Sequence, residues 1–165
     1  MKAFIFSIFL LFSVVSYSQY EMSSNESPTY TELIDILKEL SDSSNFIELY
    51  SMGSSDYGLP IYLCMVNGGK DSLLAFKRAR KETTILFNNA IHPGEPDGIN
   101  AMLIWLKKVS QNPQLLIDMP IITFIPAYNV GGMMNRSGVS RANQNGPIEY
   151  GFRGNTQNLD LNRDF

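Results

Sequence analysis

The sequence predicts an α/β domain: a mixed parallel and antiparallel sheet with helices on both faces. Three observations lead there. A capped amphipathic segment precedes two strand-like runs joined by turn residues, a greasier helical segment lies between two further strand-like runs, and 44% of the 165 residues are hydrophobic, enough to bury a core. The order α-β-β-β-α-β places a hairpin at one edge of the sheet and a helical crossover between its later strands.

The elements follow in chain order. Thr29 with Glu32 three residues on is a capping-box signal, and Leu33, Ile36, Leu37 and Leu40 recur at helical spacing, so a helix is expected over about 30–41. Apolar runs at 46–52 and 59–66 flank Gly53-Ser54-Ser55-Asp56-Tyr57-Gly58, the composition of a hairpin turn. The run at 83–89 is β-branched and apolar and reads as a buried strand. From 96 to 109 apolar residues fall on nearly every side, the mark of an interior helix. Residues 120–128 read as another buried strand, and from about 129 to 160 the pattern dissolves into Gly, Asn, Ser and Arg, a long irregular stretch that is either disordered or a functional loop.

The first residues read as an address. Lys2 precedes an apolar stretch from Ala3 to Val15, short of the roughly 20 residues a membrane-spanning helix needs, and Ser16-Tyr17-Ser18 offers small residues for a signal peptidase. Residues 1–18 are therefore expected to be a signal peptide, 19–28 a flexible leader and 29–165 the folded domain, with no stable membrane span. Export with a lone cysteine, Cys64, fits a periplasmic or secreted bacterial protein and excludes a disulfide framework. Thirteen Lys and Arg against 16 Asp and Glu leave no electrostatic footprint for nucleic acid.

His92 is the only histidine, and His92-Pro93-Gly94-Glu95 falls between a strand and a helix, where α/β sheets bind their ligands. An imidazole and a carboxylate bent round Pro-Gly can face one cation, and zinc accepts both donors. On its own the motif reads more readily as a carboxylate at a helix N-terminus beside a surface histidine. Further on, Asp160, Asn162 and Arg163 are interleaved with Leu159 and Leu161, which reads as a strand with its polar side chains on one face. An adjacent Asn and Arg suit a carboxylate, because the guanidinium fork matches its geometry. A surface ion pair between Arg163 and a neighbouring Asp is the plainer alternative.

Together these motifs resemble the zinc metallocarboxypeptidases of the carboxypeptidase A/B type: His-x-x-Glu ahead of a helix, then a strand, a long loop carrying an Arg, and Asp-Leu-Asn-Arg. Gly53-Ser54-Ser55 followed by Leu59-Pro60-Ile61 is similar to their upstream hairpin. The resemblance implies one Zn2+, with His92 and Glu95 as two of its three protein ligands and Asp160 as the carboxylate that hydrogen-bonds the histidine. It implies Asn162 and Arg163 as the grip on the terminal carboxylate of a peptide substrate. Arg153, nine residues before Asn162, matches the arginine that polarises the scissile carbonyl, with Arg136 and Arg141 as rivals. The family's second zinc histidine, general-base glutamate and capping tyrosine lie beyond Arg163 in its pattern. The chain is accordingly expected to be the amino-terminal part of such a domain, with little or no peptidase activity alone. Two rivals share parts of the pattern: an aspartoacylase or succinylglutamate desuccinylase-like amidohydrolase, against which His-Pro-Gly-Glu and the signal segment weigh, and a non-catalytic module that binds carboxylates.

Overall fold

The computed structural model describes residues 25–68, 83–141 and 145–163. The expected signal peptide and most of the expected leader lie outside them. Helix α1 (Tyr30–Ser43) begins on the expected capping box: the Glu32 amide donates to Thr29 Oγ1, and the Glu32 carboxylate accepts from the Thr29 amide at 2.8 Å. These bonds from Thr29 lower the Glu32 pKa. Thr29→Ala is therefore expected to cost about 1 kcal/mol and to return the Glu32 pKa towards its ordinary value. The contribution of a depressed carboxylate is fully present above its unfolded pKa and is lost as pH falls through the depressed folded value. The stability gap between the two proteins should thus narrow below about pH 4 without closing, because the bond from the Glu32 amide to Thr29 Oγ1 does not titrate, and an NMR titration of Glu32 reads the shift directly.

Strands β1 (Ile47–Ser54) and β2 (Pro60–Val66) form the antiparallel hairpin, with an irregularity between Ser51 and Ser54. The turn is tighter than the run of polar residues suggests, because β1 continues through Gly53 and Ser54. Gly53 and Gly58 take φ of 123° and 85°, values that glycine adopts without a Cβ penalty. Strand β2 pairs antiparallel with β4 (Ile121–Ile125), which pairs parallel with β3 (Thr84–Asn88), giving the order β1-β2-β4-β3. The mixed sheet with helices is thus as expected. Helix α2 (Asp97–Gln111) makes the crossover between the two parallel strands, so β3 and β4 end on the same side and their following loops lie together.

Cys64 and Val66 of β2 pair with Phe124 and Ile122 of β4 and present one apolar face. Leu33, Ile34 and Leu37 of α1, with Ile99, Met102, Leu103, Leu106 and Val109 of α2, close over it in a single core. Each fully buried aliphatic side chain contributes roughly 1.5–3 kcal/mol. Burial pushes the Cys64 thiol up to about 12, so it stays an inert apolar filler. No helix among the described residues is long and apolar enough to cross a membrane.

Three expectations need correction. Strand β3 is exposed along its length, Leu86 to 57%, because among the described residues it pairs only with β4 and forms the edge of the sheet. Helix α2 is not apolar all round in place: Ile99, Met102, Leu103, Leu106 and Val109 face the core while Ile104 is 55% exposed. The last part of the supposed flexible leader is seated. Pro28 and Ser27 are buried, the Asn25 carbonyl accepts from the Ile148 amide, and Arg136 donates to the carbonyls of Ser27 and Pro28.

Candidate active site

The site is built where β3 and β4 end. The Asn89 amide still follows the parallel ladder by donating to the Ile125 carbonyl, after which the amides of Tyr128 and Asn129 donate back to the carbonyls of Asn89 and Ala90. Ala90 sits at φ 53°, in the left-handed region that a residue with a Cβ seldom occupies. This bend takes the chain out of the sheet and into the turn His92–Glu95, closed by the Glu95 amide on the His92 carbonyl at 2.9 Å. Gly94 is required there, since a Cβ would stand 2.9 Å from the Gly151 carbonyl oxygen.

Asn129 ties the surrounding loops together. It is 1% exposed; its Oδ1 accepts from the Gly132 amide, and its Nδ2 donates to the carbonyls of Ile91 and Arg153. It also caps the short helix α3 (Val130–Met134). The two-residue strands β5 (Arg136–Ser137) and β6 (Tyr150–Gly151) pair beside it and deliver the 152–163 segment to His92. The hairpin tip joins in: Asp56 Oδ2 accepts from both the amide and the hydroxyl of Thr156.

His92 is 7% exposed, not a surface loop residue. Its Nε2 lies 2.7 Å from Asp160 Oδ1, and its Nδ1 lies 3.5 Å from Glu95 Oε1. An ionised carboxylate can only accept, so Nε2 carries the proton and Nδ1 keeps its lone pair on the Glu95 side. Arg141 Nη1 bonds Glu95 Oε1, and that bond lowers the Glu95 pKa, helped by the charge of the same guanidinium. Arg153 Nε and Nη2 each lie 2.9 Å from Asp160 Oδ2. The bond from His92, with lesser ones from the Asn162 amide and Arg153, holds the Asp160 carboxyl far below the usual carboxylate range.

The expected residues are thus largely assembled, with a different division among the arginines. The guanidinium beside Glu95 belongs to Arg141. Arg153, favoured from spacing, is engaged by Asp160, and Arg136 is turned away to hold Ser27 and Pro28. Asn162 and Arg163 also differ from expectation, since residues Leu161–Arg163 form a 3-10 turn and not a strand. Asp160 causes this: its Oδ1 accepts from the Asn162 amide and its carbonyl from the Arg163 amide. Both side chains remain exposed, next to the Asp160–His92 pair. Sequence reasoning missed Asn129, although an Asn directly before Val-Gly-Gly at the end of a strand carried the signal of a helix cap.

The donor set can be tested against a zinc ion. Tetrahedral bonds of about 2.0–2.2 Å to nitrogen and oxygen separate two donors by roughly 3.4 Å, and His92 Nδ1 and Glu95 Oε1 stand 3.5 Å apart. Two positions fit. Among the described residues no group of three or more His, Cys, Asp and Glu completes a metal site.

Comparison with solved structures returns carboxypeptidases. Bovine thrombin-activatable fibrinolysis inhibitor, in complex with tick carboxypeptidase inhibitor, superposes with a TM-score of 0.60 at 17% identity over 85% of this chain and 43% of its own. A metallo-carboxypeptidase from Burkholderia cenocepacia gives 0.62 at 15% identity, over 86% of this chain and 34% of that one. Carboxypeptidase A from Helicoverpa armigera gives 0.55 at 21% identity, covering 68% and 27%. The chain spans less than half the length of each, and these likenesses speak for the fold. A search of curated protein sequences finds no match. The sequence profile of the zinc carboxypeptidases matches residues 33–165, four-fifths of the chain including every residue of the site, and on that ground the protein belongs to the zinc carboxypeptidase family.

Proposed function

We propose that this chain supplies the first part of a zinc-dependent carboxypeptidase that removes C-terminal residues from peptides. The observation that carries the reading is the pair His92 Nδ1 and Glu95 Oε1, spaced for one tetrahedral cation, with the opposite ring nitrogen held by Asp160. His92 and Glu95 would hold the zinc, which when bound polarises a carbonyl and lowers the pKa of its water. Asn162 and Arg163 bind the free carboxylate of the peptide through the amide and the guanidinium fork. We assign to Arg141 the polarising role that spacing favoured for Arg153, because its guanidinium already stands at Glu95. The signal peptide expected over residues 1–18 supports a periplasmic or secreted location for the enzyme.

Calorimetric titration of the 165-residue chain with Zn2+ tests this. One equivalent is expected to bind, weakly for a two-donor site, and His92→Ala to abolish it. A peptide with a free C-terminal carboxylate should bind about tenfold or more tightly than its amide, and Arg163→Ala should erase the difference. Peptide turnover by the chain is expected to be close to zero, since catalytic zinc uses three protein ligands. Unchanged zinc stoichiometry in His92→Ala, or tight peptide binding indifferent to Zn2+, sinks the reading; the latter outcome describes a binding module.

A further inference from the structure

The segment that carries Asn162 and Arg163 is fastened to a distant part of the chain at Thr156. Asp56, at the tip of the β1–β2 hairpin, accepts on Oδ2 from the Thr156 amide at 2.8 Å and from the Thr156 hydroxyl at 2.7 Å. We propose that Asp56 is a positioning residue for substrate: its clasp on Thr156 sets where Asn162 and Arg163 meet the terminal carboxylate of a peptide. This rests on the carboxylate-binding role proposed above for that pair.

Both partners are shaped for the clasp. In the hairpin the Ser55 amide donates to the Leu59 carbonyl at 2.8 Å, the Gly58 amide to the Ser55 carbonyl at 3.0 Å, and the Tyr57 amide to Ser55 Oγ at 3.3 Å. The same three bonds recur later in the chain. The Asn155 amide donates to the Leu159 carbonyl, the Asn158 amide to the Asn155 carbonyl, and the Gln157 amide to Asn155 Oδ1, each at 3.0 Å. Gly58 and Asn158 take the positive φ that closes each turn, 85° and 60°. Two turns of one shape therefore meet through their second residues, Asp56 and Thr156. They meet over α3, where Gly131 leaves them room: a Cβ there would stand 2.7 Å from Thr156 Cγ2 and 3.0 Å from Asp56 Oδ2.

The segment needs this hold because burial does not supply one. Residues 156–159, 162 and 163 are exposed, and none from 155 to 163 belongs to the hydrophobic core. The bonds within 155–159 and 160–163 fix the shape of each turn, not its place. Asp160 is fastened at His92, and a segment pinned at one point can still pivot. Asp56 adds the second point. Two donors on one carboxylate oxygen make charge-assisted bonds, and a binding loop ordered before its ligand arrives loses less entropy on association. An exposed contact of this kind adds little to global stability, so its effect belongs in binding.

Titration of the 165-residue chain in Zn2+ with one short peptide, as free acid and as C-terminal amide, tests the role. Asp56→Ala should weaken the free acid by about tenfold and the amide by less than about twofold. Charge alone predicts the opposite sign, because removing a carboxylate near an anion site tightens the anion. Thr156→Val keeps the amide donor and the side-chain shape and should cost the free acid about threefold, while Thr156→Ser should bind as wild type. Adding Thr156→Val to Asp56→Ala should cost nothing further. Zn2+ affinity should be unchanged in Asp56→Ala and its melting temperature within about 4 °C of wild type. A wild-type preference for the free acid in Asp56→Ala overturns the proposal, and so does a loss matched by an equal loss of Zn2+ affinity. A wild-type chain with no preference for the free acid defeats the proposed function, and the peptide role of Asp56 with it. Nitrogen-15 relaxation reads the clasp apart from any ligand: amides 155–163 should gain nanosecond mobility in Asp56→Ala, and unchanged relaxation overturns the clasp.

Discussion

Asn129→Ala should destabilise the protein by about 3 kcal/mol or more, the sum expected when several buried partners are left unsatisfied. The side chain is 1% exposed and makes three bonds, from the Gly132 amide and to the carbonyls of Ile91 and Arg153. Truncation strips all three partners at once, and each orphaned backbone group costs about 1–3 kcal/mol. The bond from the Gly132 amide is the cap of α3. The Asn129→Asp variant discriminates between lost volume and lost bonding. It keeps the shape and the acceptor for Gly132, but turns two donations into carboxylate oxygen facing carbonyl oxygen, so it should be at least as damaging as alanine. Urea unfolding of both variants measures this. A loss under about 1 kcal/mol in either would show that the loops do not depend on Asn129.

Gly132→Ala should be comparably harmful, about 3 kcal/mol or more, at the upper end of what overpacking costs. A Cβ there would stand 2.5 Å from the Phe152 carbonyl oxygen, 2.6 Å from Asn129 Nδ2 and 2.7 Å from the Gly154 carbonyl oxygen. Two of the three obstacles are backbone on either side of Arg153, so no rotamer change relieves the clash and the 152–154 loop must move. Thermal unfolding reads the stability, and Zn2+ affinity should fall with it because the loop carries the hold on Asp160. Because Gly132 and Asn129 touch, the double variant should lose less than the two losses added together.

The fold was legible where local pattern and tertiary environment agree. Thr29 and Glu32 announced α1 because a capping box is complete within four residues. The hairpin and the crossover were readable from turn residues and from the period of apolar positions. What failed depended on neighbours that sequence does not display. The apolar composition of β3 implied burial, yet a strand is buried only if something pairs with or covers it, and here it forms an edge. The polar alternation at 159–163 resembled a strand because period two was counted without the competing Asx turn, in which Asp160 captures the Asn162 amide. That His92, Glu95 and Asp160 would lie together was legible because their spacing is short or family-typical. Among the arginines, spacing alone could not choose: whether a long side chain reaches Glu95, Asp160 or the Ser27 carbonyl depends on how a thirty-residue loop is folded.

The alanine at the end of β3 carries one more implication. Ala90 is held at φ 53° against its own preference, a cost of about 1–2 kcal/mol that nothing within the residue repays. The corner is held from a distant part of the chain, where the amides of Tyr128 and Asn129 donate to the carbonyls of Asn89 and Ala90 and Asn129 Nδ2 donates to that of Ile91. A freshly collapsed polypeptide would relax at that point and turn the imidazole elsewhere. The arrangement of His92 beside Glu95 and Asp160 is thus a product of finished tertiary assembly and not of the local sequence.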